Sequence, residues 1–212
     1  MKEIILVCDD LFGLEVLDFI NQINLFSLKE SGEPEYKVIG YLSEKDNPFN
    51  NVVTSVARIG NIVDWMPSAN EMFILGIKDP ELKFKAVKIL KQKGAHFLSL
   101  MTPWTIAPEL ELGEGSVISA YTIKKGIKIG SFVTVIGAML SCRKIDDYST
   151  ILRFSNIAGN DVGKGSFVGN HVFVAVGKNI GDQCIVADGS IVVNNVKSGL
   201  SVSGVPAKKI KV

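Results

Sequence analysis

The sequence predicts an α/β domain of Rossmann-like build followed by a left-handed parallel β-helix of hexapeptide repeats. Three observations predict it. Aliphatic residues in the second half recur every six positions, at Val162, Val168, Val174, Ile180, Val186 and Val192. Short apolar runs in the first half alternate with helical apolar stripes. Between the two patterns lies Thr102–Pro108, where Pro103 and Pro108 flank a short crossover. The expected domains are residues 1–106 and 107–212, and 212 residues suffice for two small domains with a core each.

The first half is read in order. Residues 3–7 (EIILV) form a buried strand. From Leu14 to Ile23, Val16, Leu17, Ile20 and Ile23 make a helical stripe. Val38–Leu42 and Met72–Ile77 are further strands. Asp79 and Pro80 open a helix over Glu81–Lys93, with Leu82, Ala86, Ile89 and Leu90 on one face and Gly94 closing it. Phe97–Met101 is the last strand. Alternating β and α segments favour a parallel sheet with helices on both faces.

In the second half the six-residue period also holds at Ile123, Ile129 and Val135, and at Ile145, Ile151 and Ile157. Six fits neither a helix at 3.6 nor a simple strand at 2. It fits three short strands per coil, stacked so that each aliphatic residue points into a prism. The next residue is small (Gly163, Gly169, Ala175, Gly181, Ala187), as a crowded corner requires. The fourth residue after is small or β-branched: Ser149, Ser155, Ser166, Val172, Ser190 and Val196. A sandwich of irregular strands would not hold this phase. Breaks are expected at Lys124–Lys128, near Leu140–Lys144 and at Asp161–Gly163, and Pro206 ends the coil pattern.

Composition narrows the function. With 23 Lys+Arg against 22 Asp+Glu, the net charge of +1 gives no global field for nucleic acid or anionic membranes. No apolar run is long enough for a membrane span or a signal-peptide core, so a cytoplasmic protein is expected. Cys8, Cys142 and Cys184 are scattered and odd in number, supporting neither a disulfide framework nor a metal site. His96 and His171 are the only histidines, which limits acid–base chemistry.

The two halves, in this order, resemble the bacterial sugar acetyltransferases of glycan biosynthesis, of the sialic acid O-acetyltransferase and UDP-amino-sugar N-acetyltransferase type. The resemblance spans nearly the whole chain. It is carried by FGLEV (Phe12–Val16), VIGYL (Val38–Leu42), LGIKDPELK (Leu75–Lys83), LGEGSVIS (Leu112–Ser119), the repeats, and GVPAKKIK (Gly204–Lys211). It implies a homotrimer, with acetyl-CoA as co-substrate in the groove between prisms and a small-molecule sugar or nucleotide-sugar as acceptor.

Two departures stand out. The family opens with a glycine-rich turn resembling GAGGFG, which lets backbone N–H groups approach a phosphate. Here the turn is Cys8-Asp9-Asp10-Leu11-Phe12-Gly13, so Asp9 and Gly13 are the candidate substrate-binding positions, and two carboxylates stand where a phosphate would come. The family also carries a His followed by an acid, as in GHDCVIGDY, for proton removal from the acceptor. Ser141 occupies the His position and Cys142 the acid position. Cys142 is a nucleophile only if Arg143 or Lys144 lowers its pKa, and is otherwise a buried or inert cysteine. His171, in GNHVFV, is an alternative base.

Other implied site features are retained. Gly159, in NIAGND, matches the glycine whose backbone N–H binds the acyl carbonyl oxygen and stabilises the oxyanion. Asn170 and Asp188 match residues lining the pantetheine channel, and Lys208 begins a basic tail suited to CoA phosphates. The function expected is acetyl-CoA-dependent acyl transfer to a sugar or nucleotide-linked amino sugar. The competing expectation, motivated by the same two losses, is a catalytically silent trimeric homologue acting as a scaffold or binding module.

Overall fold

The computed structural model describes residues 1–211. The chain divides into two compact units, Met1–Pro103 and Trp104–Val212.

The first unit contains β1 (Lys2–Cys8), α1 (Phe12–Ser31), β2 (Tyr36–Leu42), β3 (Arg58–Gly60), β4 (Met72–Gly76), α2 (Pro80–Gln92), β5 (His96–Phe97) and β6 (Leu100–Met101). The first five strands make one parallel sheet in the order β3-β2-β1-β4-β5. The central strands are buried beyond their first residues: Ile4 to Cys8 and Phe73 to Leu75 are at most 1% exposed. Strands covered on both faces read as unbroken apolar runs, which is why they were legible.

The helices depart from expectation in instructive ways. α1 buries Val16, Leu17, Ile20 and Ile23 as expected, but runs on to Ser31. Its last turns carry Leu25, Phe26 and Leu28, which are good or tolerable helix formers although exposed. Gly32 ends it at φ 80°, donating to the Leu28 carbonyl at 3.2 Å. In α2, the Asp79 carboxylate caps the N–H groups of Glu81 and Leu82, both at 2.9 Å. Gly94, at φ 88°, follows its end. The buried face, however, is Lys83, Ala86, Val87 and Leu90 rather than one through Leu82 and Ile89. Lys83 is fully buried, and burial holds its pKa well below the ordinary lysine value, with Asp79 opposing the shift. A lysine facing the core is invisible to an apolar pattern. The single strand expected over Phe97–Met101 is instead two. Pairing with β4 runs to Leu98, whose N–H donates to the Phe73 carbonyl at 2.8 Å, and stops there.

The second unit is a three-faced parallel β-helix. Its first coil holds β7 (Glu111–Leu112), β8 (Val117–Ser119) and β9 (Thr122–Ile123), and its second β10 (Lys128–Ile129), β11 (Thr134–Ile136) and β12 (Met139–Leu140). The third holds β13 (Lys144–Ile145), β14 (Thr150–Ile151) and β15 (Asn156–Ile157). The fourth holds β16 (Asp161–Val162), β17 (Phe167–Val168) and β18 (Phe173–Val174). The last coils add β19 (Ile185–Val186), β20 (Ile191–Val192), β21 (Ser201–Ser203) and β22 (Lys208–Ile210). The first face stacks β7-β10-β13-β16 and continues through bridges at Ile180 and Val196. The second includes β8, β11, β14, β17, β19 and β21, and the third β9-β12-β15-β18-β20. Every coil-to-coil pairing is parallel.

The six-residue positions all face inward. Ile129, Val135, Ile145, Ile151, Ile157, Val162, Val168, Val174, Ile180, Val186 and Val192 form one buried column. Ile123 and Ile129 hold adjacent inward positions with the period intact, so no phase break occurs at Lys124–Lys128. The shortening there lies before Ile123. The steps from Val135 to Leu140 and from Leu140 to Ile145 are short, as the sequence suggests.

The corners explain the rest of the repeat. Ser116, Ser149, Ser155 and Ser166 are buried, and each hydroxyl makes two bonds. The Ser166 hydroxyl donates to the Gly181 carbonyl (2.7 Å) and accepts from Cys184 N–H (3.1 Å). Asp147, Asp182 and Asp188 each accept an N–H from the preceding coil, at Ser131, Lys164 and Asn170 (2.8, 2.9 and 2.7 Å). A Cβ on Gly130, Gly163 or Gly169 would collide with these carboxylates. The chain does not trail off after Pro206: β22 turns back antiparallel onto β21, and Ala207 N–H donates to the Ile191 carbonyl at 2.8 Å.

Candidate active site

At the end of β1 the turn Cys8–Gly13 leads into α1. Two of its amides are taken by Asp10. Asp10 Oδ1 accepts from Phe12 N–H at 2.8 Å, and the Asp10 carbonyl accepts from Gly13 N–H at 3.0 Å. Asp9 pairs with Lys45 (3.1 Å) and Asp10 with Lys78 (3.4 Å). Gly13 is a packing requirement: a Cβ there would lie 2.7 Å from Cys8 Cβ and 2.9 Å from Phe49 Cε1. The turn thus satisfies the helix start with its own carboxylate, where an anion would otherwise sit.

In the β-helix, the chain turns from the third face to the first through three stacked segments: Lys124–Ile127, Ser141–Arg143 and Ala158–Asn160. Ser141 N–H donates to the Ile157 carbonyl (2.9 Å), and Arg143 N–H to the Asn160 carbonyl (2.6 Å). Ser141 and Gly159 therefore share one corner on adjacent coils. Ser141 is exposed, and its hydroxyl has no hydrogen-bond partner among the described residues. Gly159 is buried, and its N–H likewise has no acceptor among them, although the amides on either side are taken, Ala158 by Val174 (3.1 Å) and Asn160 by Lys178 (2.8 Å). A Cβ at Gly159 would run into the Lys178 carbonyl and lie 2.9 Å from Val174 Cγ1, so the close stacking itself demands glycine.

Cys142 is 1% exposed within the aliphatic column. Burial pushes its thiol up to about 12; Asp161 adds to the rise and Lys124 opposes it. Arg143 and Lys144 do not activate it: Arg143 pairs with Asp161 and Lys144 with Asp146, both at 2.9 Å. The nucleophile considered from the sequence is excluded by this burial.

The structure does not bring His171 to this corner within one chain. It lies where the second face meets the third, at φ 55°, exposed and stacked on Phe154 at 4.9 Å, and Phe154 stacks in turn on Tyr121 at 6.3 Å. No side chain among the described residues orients its ring nitrogens through a hydrogen bond. Asn170 and Asp188 are at that same second corner and are bonded to each other, Asn170 N–H to Asp188 Oδ1 (2.7 Å) and Nδ2 to Oδ2 (3.3 Å). Lys208 is exposed on β22.

One feature escaped the sequence reading. Lys124, Lys125, Gly126, Lys128, Cys142, Arg143, Lys144 and Asp161 line an open basin of about 460 Å³ beside Ser141. The runs KKGIK and RK lie one coil apart, and that spacing was the available signal.

Comparison with known proteins places this geometry in context. No protein-family model matches the chain, and no curated protein sequence does. Solved structures do match. The acetyltransferase domain of PglB from Neisseria gonorrhoeae FA1090 superposes with a TM-score of 0.83 at 17% identity, covering 99% of this chain and 100% of that one. The same domain is known in complex with acetyl coenzyme A. PerB from Caulobacter crescentus, in complex with CoA and GDP-perosamine, gives 0.76 at 21% identity over 100% and 98% of the chains. A histidine-to-alanine variant of that GDP-perosamine N-acetyltransferase matches equally well. WeeI from Acinetobacter baumannii AYE gives 0.61 at 20% over 99% and 100%. At these identities the likeness is one of fold, across both units and in the same order.

Proposed function

We propose that this protein is an acetyl-CoA-dependent acetyltransferase whose acceptor is a sugar or nucleotide-linked amino sugar. The observation that carries the reading is Gly159: a buried backbone N–H without an acceptor, one coil from the exposed Ser141, on a fold shared with acetyltransferases seen with acetyl-CoA or CoA. A donor fixed by the backbone costs no reorganisation when negative charge develops on the acyl oxygen, and removal of one such donor typically costs about 3 kcal/mol of barrier. Acetyl-CoA, when bound, supplies the activated acyl thioester. The reading takes the prism as left-handed, the first unit as Rossmann-like with its boundary at 106/107, the assembly as a homotrimer and the location as cytoplasmic. Among the described residues, no helix is long and apolar enough to cross a membrane.

Ser141 stands without a base, so the acceptor must need little help losing its proton. A neutral amine attacks before it loses a proton, whereas a hydroxyl needs one removed. N-acetylation is therefore the favoured chemistry. Within this reading Asn170, Asp188 and Lys208 contact the pantetheine and phosphates of the co-substrate, and His171 reaches the reacting corner only from a second copy of the chain.

The second reading, a catalytically silent scaffold, is favoured by the unpartnered Ser141 hydroxyl. Calorimetric titration with acetyl-CoA, beside ADP as control, tests the first reading. We expect micromolar binding well above any ADP effect, followed by acetylation of amino sugars. Binding without turnover on any amino sugar moves the protein to the silent class, and no binding at all removes the transferase reading.

A further inference from the structure

Five of the eight residues lining the basin beside Ser141 are cations. Lys124, Lys125 and Lys128 come from one coil, and Arg143 and Lys144 from the next. Four of the five have a carboxylate within reach: Lys125 with Glu109 (2.8 Å), Lys128 with Glu111 (2.9 Å), Arg143 with Asp161 (2.9 Å) and Lys144 with Asp146 (2.9 Å). These pairs lie at the surface, where such contacts contribute about 0–1 kcal/mol, so the cations can be re-aimed at a ligand at little cost. Lys124 has no carboxylate partner among the described residues and provides the excess charge. The floor, Cys142, is buried and apolar in character, so a bound anion would be partly removed from water where each contact is worth more.

The β1–α1 turn of the first unit is less suited to an anion. There Asp10 already occupies the Phe12 and Gly13 amides, and Asp9 and Asp10 add negative charge. The cluster of cations that could receive a negative group of the acceptor lies in the β-helix.

We propose that this basin binds an anionic oxygen group of the acceptor, a carboxylate or a phosphate carried on the sugar, and so presents the acceptor's amine or hydroxyl to the corner formed by Ser141 and Gly159. This rests on the acetyl-transfer reading for the identity of the ligand as acceptor. Arg143 supplies the planar fork suited to two oxygens at once, and the lysines surround it as mobile point charges.

The test uses the full chain and equilibrium binding of glucosamine, glucosamine 6-phosphate and galacturonic acid at low ionic strength. The wild type is compared with a Lys124→Gln/Lys144→Gln variant whose thermal melting is shown to be unchanged. We expect at least one of the two anionic sugars to bind at least tenfold more tightly than glucosamine. The preference should fall with added salt, and the variant should lose it while keeping its affinity for glucosamine. Which of the two binds identifies phosphate or carboxylate as the preferred group. Equal binding of all three sugars, or an unaltered preference in the variant, overturns the proposal. So does displacement of the bound sugar by adenosine 3′,5′-bisphosphate, which would give the basin to the co-substrate. Acetyl-CoA titration in parallel separates the two levels. Intact acetyl-CoA binding without an anion preference sinks the basin alone. An anion preference without acetyl-CoA binding sinks the transfer reading.

Discussion

Cys142 shows how burial decides between two readings of one residue. Beside Arg143 and Lys144 it could be an activated thiol or an inert buried one; the inward turn of the corner makes it part of the aliphatic column. The thiol is pushed up to about 12 by burial, from an ordinary value of 9.0. A group whose pKa is raised on folding contributes stability in full below its unfolded value, and that contribution is lost as pH rises toward the folded one. The urea unfolding midpoint should therefore fall between about pH 9 and pH 12, and a Cys142→Ala variant should fall less steeply. Identical slopes would mean the thiol is accessible. Gly159 was legible only through the resemblance of NIAGND to a known family; that it shares a corner with Ser141 needed the pairing of Leu140 with Ile157. A buried, inert Cys142 was one of the sequence's two readings, but the repeat loses phase there, so counting inward positions could not decide between them.

At the scale of the element, the corner serines carry as much of the architecture as the aliphatic column. Each buried hydroxyl closes two backbone groups that the turning chain leaves unpaired, and Ser166 joins Gly181 and Cys184 in this way. Ser166→Ala removes both bonds and leaves the half-buried Gly181 carbonyl and the buried Cys184 N–H unsatisfied. The unfolding free energy should drop by about 1–3 kcal/mol, measurable by denaturant titration, and a neutral result would mean that the corner relaxes to let water in. The small fourth residue of the repeat was visible in the sequence, but its purpose was not, since hydrogen bonding between coils has no one-dimensional signature. The same holds for α1 and α2. Their apolar stripes announced helices, yet the exposed Leu25 and Phe26 and the buried Lys83 reverse the usual distribution, and the pattern gave neither the length of the first nor the buried face of the second.

For the whole molecule, the solenoid was legible because its core is a repeated local rule, whereas the order of the five-stranded sheet depends on crossovers that no local rule specifies. A solenoid also has ends, and this one closes its last with its own chain. β22 pairs with β21, and the Gly204–Ala207 turn takes up Ile191 on the neighbouring face. Ending the chain after Gly204 should leave open strand edges, so that the shortened protein associates at concentrations where the full chain does not; sedimentation of both would reveal it, and equal behaviour would mean the turn is ornamental. The coil-to-coil bonds, such as Thr134 N–H to Ser149 O (2.9 Å) and Thr150 N–H to Ser166 O (2.8 Å), all run along the prism axis. A force applied to the two ends of the prism would therefore load them in line, a few at a time, and never all together in shear. Under tension the second unit would yield like a spool, releasing about 60 Å of thread with each turn that comes free.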